Sequence, residues 1–146
     1  MALVSVTRLR VRSFVYLLQF MWEAVSSGRQ AEQSPGFLGG RLLRNPGNVF
    51  WTITAWEDAA AMNAYRTGGA HRRVMPKLLI WCDEAAVVHW NQESPEPPSW
   101  QEAHQHMLKE GKPSKVNHPS APQLANHIPP PKASRIERTL KPSVLR

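Results

Sequence analysis

Apolar and polar positions alternate with period two from Ala2 to Arg10, setting Leu3, Ser5, Thr7 and Leu9 against Val4, Val6, Arg8 and Arg10. With β-branched residues in the run, this predicts a strand whose arginine end is wet. The period then changes. Phe14, Leu17, Leu18, Met21, Ala24 and Val25 recur at helical spacing behind Ser13, a good N-cap, and Gly28 is expected to stop that helix. Pro35 and Gly36 open a second strand, Phe37 to Arg44, in which Gly39 and Gly40 point to a bulge or a close backbone approach. Asn45, Pro46, Gly47 and Asn48 read as a hairpin turn. Val49 to Trp56 follows as a strand apolar on both faces, with Phe50, Thr52, Thr54 and Trp56 on one and Val49, Trp51, Ile53 and Ala55 on the other. Asp58 caps a helix from Ala59 to Arg66, Thr67, Gly68 and Gly69 break it, and a further helix runs from Ala70 to Trp81, perturbed at Pro76. A strand from Ala85 to Trp90 completes the order, with Ala85, Val87 and His89 facing one way and Ala86, Val88 and Trp90 the other.

The order βαββαβ implies an α+β fold: a four-stranded antiparallel sheet with its helices on one face, the ferredoxin-like arrangement. The apolar side chains on the other face need cover. A second copy of the chain would supply it, and two such sheets facing each other close a barrel, so a homodimer is expected.

Composition changes the picture after Gln92, where ten of the thirteen prolines lie among Ser, Gln, His and Lys. So few large apolar residues cannot offset the entropy of ordering the segment. The sequence therefore divides into a domain at 1–91 and a mostly disordered, Pro-rich basic tail at 92–146, with at most a short helix from Trp100 to Glu110. A domain of this size buries roughly 60–65% of its unfolded surface, another reason to expect pairing. The formal net charge of +7 is spread along the chain: ten basic against six acidic side chains up to Asn91, and eight against five beyond it. Arg8, Arg10 and Arg12, and the pair Arg72 and Arg73, read as solvated rims, so nucleic-acid binding is not expected. The single cysteine, Cys82, leaves no intramolecular disulfide and suits a reducing compartment such as the cytoplasm. Phe14 to Met21 is too short for a membrane span of about 20 apolar residues.

Two stretches, PGFLGGRLLRNPGNVFWTITAWED and MNAYRTGGAHRRVMPKL, the latter followed by AAVVHW, carry a resemblance. Over Met1 to about Asn91 the chain resembles the dimeric α+β barrel superfamily, and within it the antibiotic biosynthesis monooxygenases and related uncharacterised domains. That resemblance implies a ligand site between helices and sheet, and a small hydrophobic or aromatic molecule as ligand. It also implies possession of neither metal nor cofactor. His71 falls where haem-degrading relatives look to have a helix histidine, but the asparagine that they use on the first strand has no counterpart between Ala2 and Leu9, so haem is not expected. Oxygenation without a cofactor requires a substrate that forms a carbanion, a protein base, and donors for the resulting charge.

His71 is the candidate base, with Trp56, Tyr65, Arg72 and Trp51 as candidate substrate-binding residues. Each has a plainer reading. His71 after Gly-Gly-Ala can simply bond backbone at a helix start, His89 reads as a structural or interface histidine, and the tryptophans read as core or interface. His104 and His106 lack the further ligands that zinc needs. Cys82, followed by Asp83 and Glu84, is not expected to be a reactive thiol. Three readings follow: a small-molecule oxygenase; a non-catalytic dimeric binding or structural domain of the same fold; and an interaction module acting through the Pro-rich tail. An empty cavity lined by His71 separates the first two.

Overall fold

The computed structural model describes residues 1–134 and 136–143, so Arg135 and residues 144–146 of the expected tail lie outside the described residues. Its first seven elements follow the predicted order: β1 (Ala2–Val11), α1 (Phe14–Gln33), β2 (Phe37–Asn45), β3 (Val49–Trp56), α2 (Ala59–Arg66), α3 (Gly69–Trp81) and β4 (Cys82–Gln92). Strand β1 lies centrally between β4 and β3, and β2 flanks β3, all antiparallel. The α+β, ferredoxin-like reading stands, with α1, α2 and α3 on one face.

Local chemistry accounts for the boundaries. Ser13 and Asp58 accept hydrogen bonds from the Val15 and Ala61 backbone N–H groups, capping α1 and α2. Helix α1 does not stop at Gly28. Arg29 to Gln33 are good helix formers, and the helix ends at Ser34, where the following Pro35 disfavours further helical backbone. Gly28 instead allows close packing: a Cβ there would stand 3.3 Å from the Leu140 Cδ2 methyl. The glycines of β2 behave as expected. The register shifts between Phe37 and Gly39, and a Cβ on Gly40 would lie 2.3 Å from the Ile53 carbonyl oxygen, so the neighbouring strand leaves no room for a side chain.

The segment following Gln92 departs from the expectation of a mostly disordered tail. Among the described residues it forms α4 (Trp100–Glu110), β5 (Lys112–Pro113), α5 (Ala121–Leu124) and β6 (Glu137–Leu140). β5 pairs with β4 and β6 with β2, extending the sheet to six strands. Helix α4 covers the sheet face opposite α1, α2 and α3. Its Ala103 and Met107, 0% and 1% exposed, pack into one cluster with Val4, Val6, Leu43, Trp51, Ile53, Ala55, Ala86 and Val88. Trp100, Ala103 and Met107 share a stripe at i, i+3, i+7, so few apolar residues suffice when all meet one waiting surface. Arg41 fixes the approach by donating to the Pro98 carbonyl, with its guanidinium carbon 5.7 Å from the Trp100 ring centroid.

The apolar face that called for a second copy is therefore covered within one chain. Two of the arginines read as rims are engaged: buried Arg8 pairs with buried Glu84 at 2.7 Å, Arg10 with Asp83 at 2.7 Å, and Ser120 at the head of α5 donates to Glu84. Burial, with Asp83 adding to it, pushes the Cys82 thiol up to about 12, which removes it as a nucleophile at neutral pH.

Candidate functional site

The helix-facing parity of β1, β3 and β4 is unusual in carrying polar side chains, from buried Thr54 through half-buried Ser5, Thr7 and Thr52 to exposed His89. Ser5 and Thr7 of β1 pair across the ladder with Thr54 and Thr52 of β3, and with His89 and Val87 of β4. Hydroxyls and an imidazole pack poorly under apolar helices, and here they floor a cavity of about 250 Å³ between the sheet and α1, α2 and α3. That is slightly below the usual range of roughly 300–1,000 Å³ for small-molecule sites. Phe20, Val74, Leu78 and Met62 supply apolar walls, and residues 114–116 of the C-terminal arm border one end.

Of the five residues singled out in the sequence, Trp56, Tyr65 and His71 come together along this cavity. Their rings form a ladder, with centroids 4.9 Å apart from Trp56 to Tyr65 and 4.8 Å from Tyr65 to His71. Trp51 and Arg72 are elsewhere. Trp51 has the opposite strand parity and lies beneath α4, edge-on to His104 at 6.1 Å, while Arg72 is exposed on α3 and does not border the cavity. Parity alone separates Trp51 from Trp56, since the two are an odd number of residues apart on one strand.

Gln30 of α1 builds the corner that holds His71. Its side-chain amide donates to the Tyr65 and Gly68 carbonyls, at 2.9 and 2.8 Å, and its oxygen accepts from the His71 backbone N–H at 2.8 Å. One side chain thus gives a second donor to two carbonyls that also accept from the Gly68 and Arg72 backbone N–H groups, and an acceptor to an orphan donor opening α3. The His71 ring places Nδ1 3.3 Å from the Arg66 carbonyl oxygen. A carbonyl only accepts, so Nδ1 carries the proton in the neutral ring, and Nε2 keeps its lone pair. Burial holds the His71 pKa below its ordinary value, and the Arg66 charge pushes in the same direction against the bond to the Arg66 carbonyl. His71 is therefore a neutral base at pH 7. Burial likewise lowers His89, again with Arg66 adding to it.

Tyr65 donates its hydroxyl to the Ser27 carbonyl at 3.2 Å, and burial raises its pKa, keeping the phenol protonated. Two donors are left over. Trp56 is fully buried, yet its Nε1 has no acceptor among the described residues, and the Ser27 hydroxyl, also bordering the cavity, has no partner among them either. Both atoms are sealed from water, so neither faces the open space of the cavity, and each is a buried polar group left without a partner among the described residues. Glu23, another cavity residue, is already held by Arg73 at 3.2 Å. Among the described residues no group of three or more His, Cys, Asp or Glu is placed to hold a metal ion, and no helix is long and apolar enough to cross a membrane.

Sequence reasoning missed Ser5, Thr7, Thr52, Thr54, Ser27, Arg66 and His89. A signal for the strand residues was present: polar side chains on the parity that faces the helices are what an unfilled interior requires. Nothing in the sequence marked Ser27 or Arg66.

Residues 22–77 match the family described as antibiotic biosynthesis monooxygenase. Solved structures share the fold at low identity. SnoaB, a cofactor-independent oxygenase from Streptomyces nogalater, is 17% identical in a variant form, with a TM-score of 0.54 over 64% of this chain and 94% of that one. A conserved protein from Methanosarcina mazei Go1 is 14% identical, with a TM-score of 0.56 over 64% and 94% of the two chains. A structure described as an antibiotic biosynthesis monooxygenase is 16% identical, with a TM-score of 0.56 over 63% and 99%. Among proteins of curated function none matches the sequence. The resemblance read from the sequence holds: the chain carries a match to this family and has the fold of these neighbours.

Proposed function

We propose, from the premise that residues 22–77 belong to an antibiotic biosynthesis monooxygenase domain, that this protein is a cofactor-independent oxygenase of a small hydrophobic or aromatic molecule. The observation that carries this reading is the cavity itself, with a neutral histidine on its wall. A non-catalytic domain filled by its own side chains would have no such space. The Pro-rich segment as a partner-recruiting tail is disfavoured, because its described residues pack on their own sheet. The same packing removes the need for a second copy over that face, so the working unit is taken as a single chain, in the cytoplasm that the lone reduced Cys82 suits.

The chemistry balances without a bound group. His71 Nε2 removes a proton from a CH2 beside a carbonyl, and the electron pair moves onto the carbonyl oxygen as an enolate. The Ser5 and Thr7 hydroxyls on the cavity floor donate to that oxygen as its charge develops. The carbanion carbon reduces dioxygen, forming a C–O bond, and the peroxide takes back the proton from the His71 imidazolium. Loss of water from CH–OOH leaves C=O, so CH2 and O2 become C=O and H2O. The Tyr65 ring positions the imidazole and excludes water. Trp51 and Arg72 take no part.

The test is oxygen uptake with small aromatic ketones bearing a doubly activated CH2. Wild type should consume oxygen and yield the quinone-type ketone, and His71→Ala should lower the rate by about 10²-fold or more, the usual worth of a general base. Equal rates for the two proteins, or no uptake with any such ketone, would reject the reading.

A further inference from the structure

The floor of the cavity has a polarity gradient along the strands. Three rows cross β4, β1 and β3 in register: Ala85, Leu9 and Phe50; then Val87, Thr7 and Thr52; then His89, Ser5 and Thr54. Each row lies two residues from the next, about 6.6 Å, so the floor passes from wholly apolar to wholly polar over about 13 Å. The walls agree with it. Phe20 and Val116 belong with the first row through the cluster that includes Val11 and Ala85, whereas Trp56, Tyr65 and His71 stand at the end of the third.

Cations border both ends, exposed Lys115 at the arm end and Arg66 at the other, and only Arg66 lies beside the polar floor. Arg66, in the last turn of α2, borders the cavity and acts on both His71 and His89, which locates its charge at the polar end. Its guanidinium has no hydrogen-bond or ion-pair partner among the described residues, and the carboxylate on the cavity wall, Glu23, is already paired with Arg73. A cation without a counter-charge, beside two imidazoles held neutral and the Ser5 hydroxyl, makes a site for one anionic oxygen group.

We propose that the ligand is an apolar molecule with a single delocalised oxyanion head, a carboxylate or an acidic enolate, seated between Arg66 and the row of His89, Ser5 and Thr54, with its apolar body running toward Phe20 and Val116. Arg66 is the residue that selects it. This inference rests on the cavity being the ligand site, as in the proposed function, but not on oxygen chemistry. A guanidinium presents a planar pair of N–H donors that matches either head.

Calorimetric titration of the full chain tests it with three probes: octanoate, octan-1-ol, and a 2-alkyl-cyclohexane-1,3-dione that ionises as its enolate. At least one anion should bind ten times or more tighter than the alcohol. Arg66→Gln should abolish that preference while leaving the alcohol's affinity within twofold, and Lys115→Gln, at the arm end of the cavity, should leave the preference intact. Octanoate alone binding tightly would identify carboxylates, and the dione alone would identify enolates; either supports the inference. Equal affinity for acid and alcohol, no binding of any probe, or an unchanged preference in Arg66→Gln would overturn it. Because Arg66 is exposed and its charge meets the C-terminal dipole of α2, a thermal midpoint lowered by no more than about 4 °C confirms that the variant folds. Anion binding without oxygen uptake would refute the oxygenase reading alone. Oxygen uptake with no anion preference would refute this inference alone.

Discussion

Replacing Met107 by alanine tests whether α4 rests on the sheet as a structural part of the protein. Met107 is 1% exposed and belongs to the cluster built on Val4, Val6, Trp51 and Ile53, so truncation removes three heavy atoms from a filled interior. Met→Ala in such a position costs about 2–5 kcal/mol, as lost transfer energy plus the cavity left behind. The roof is a single helix able to settle inward, which favours the lower half of that range, about 3 kcal/mol. For a chain of this length that corresponds to a fall of roughly 6–12 °C in Tm. Leu108, one residue on and 60% exposed, is the control, and its alanine variant should lie within about 0.5 kcal/mol of wild type. Urea unfolding followed by circular dichroism measures both. A second readout separates cover within one chain from cover by a second copy: if α4 is the roof, the midpoint is independent of protein concentration, whereas a dimer's midpoint rises with it. Met107→Ala unfolding like Leu108→Ala, or a midpoint that climbs with concentration, would refute the argument.

Gln30→Ala should cost about 1–3 kcal/mol, the desolvation cost of leaving a backbone donor unpaired, because it strands the His71 N–H and takes a second donor from the Tyr65 and Gly68 carbonyls. It should also lower oxygenase turnover; a variant with wild-type stability and rate would show that the corner does not position His71. Stability should fall as pH drops below about 6.5. The unfolded chain protonates its histidines near that value, while half-buried His71 and, to a lesser degree, exposed His89 resist until lower pH, so the unfolded state binds more protons in that window and stability is full above it. Asp83, raised by burial, works in the opposite sense nearer pH 4. Urea midpoints at pH 7.5, 6.5 and 5.5 check the slope, which His71→Gln with His89→Gln should flatten; an equal slope in that double variant would refute the assignment.

Much of the fold was written in local chemistry. Period-two alternation, the Ser13 and Asp58 caps, and the glycine pair of β2 each act within a few residues, so they survive as read in β1, α1, α2 and the bulge of β2. The same is true of α4, whose bounds at Trp100 and Glu110 match the helix expected there. Trp56, Tyr65 and His71 were legible as one neighbourhood because strand, turn and helix bring them together over fifteen residues of sequence.

What only the tertiary structure decided involves partners distant in sequence. Gly28 looks like a helix stop until Leu140 is seen against it, and a proline-rich segment looks too poor in apolar residues to order until the sheet face it covers is already formed by other strands. The ordering entropy of α4 is offset by a surface to which residues 92–143 contribute little, so no window of that segment could reveal it. The cavity is of the same kind: Ser5, Thr54 and His89 are unremarkable alone, and become a polar floor through the register that aligns three strands. Sequence fixes which side chains share a face, because that depends on the backbone's own period. Which surface each face meets depends on the whole chain being in place at once.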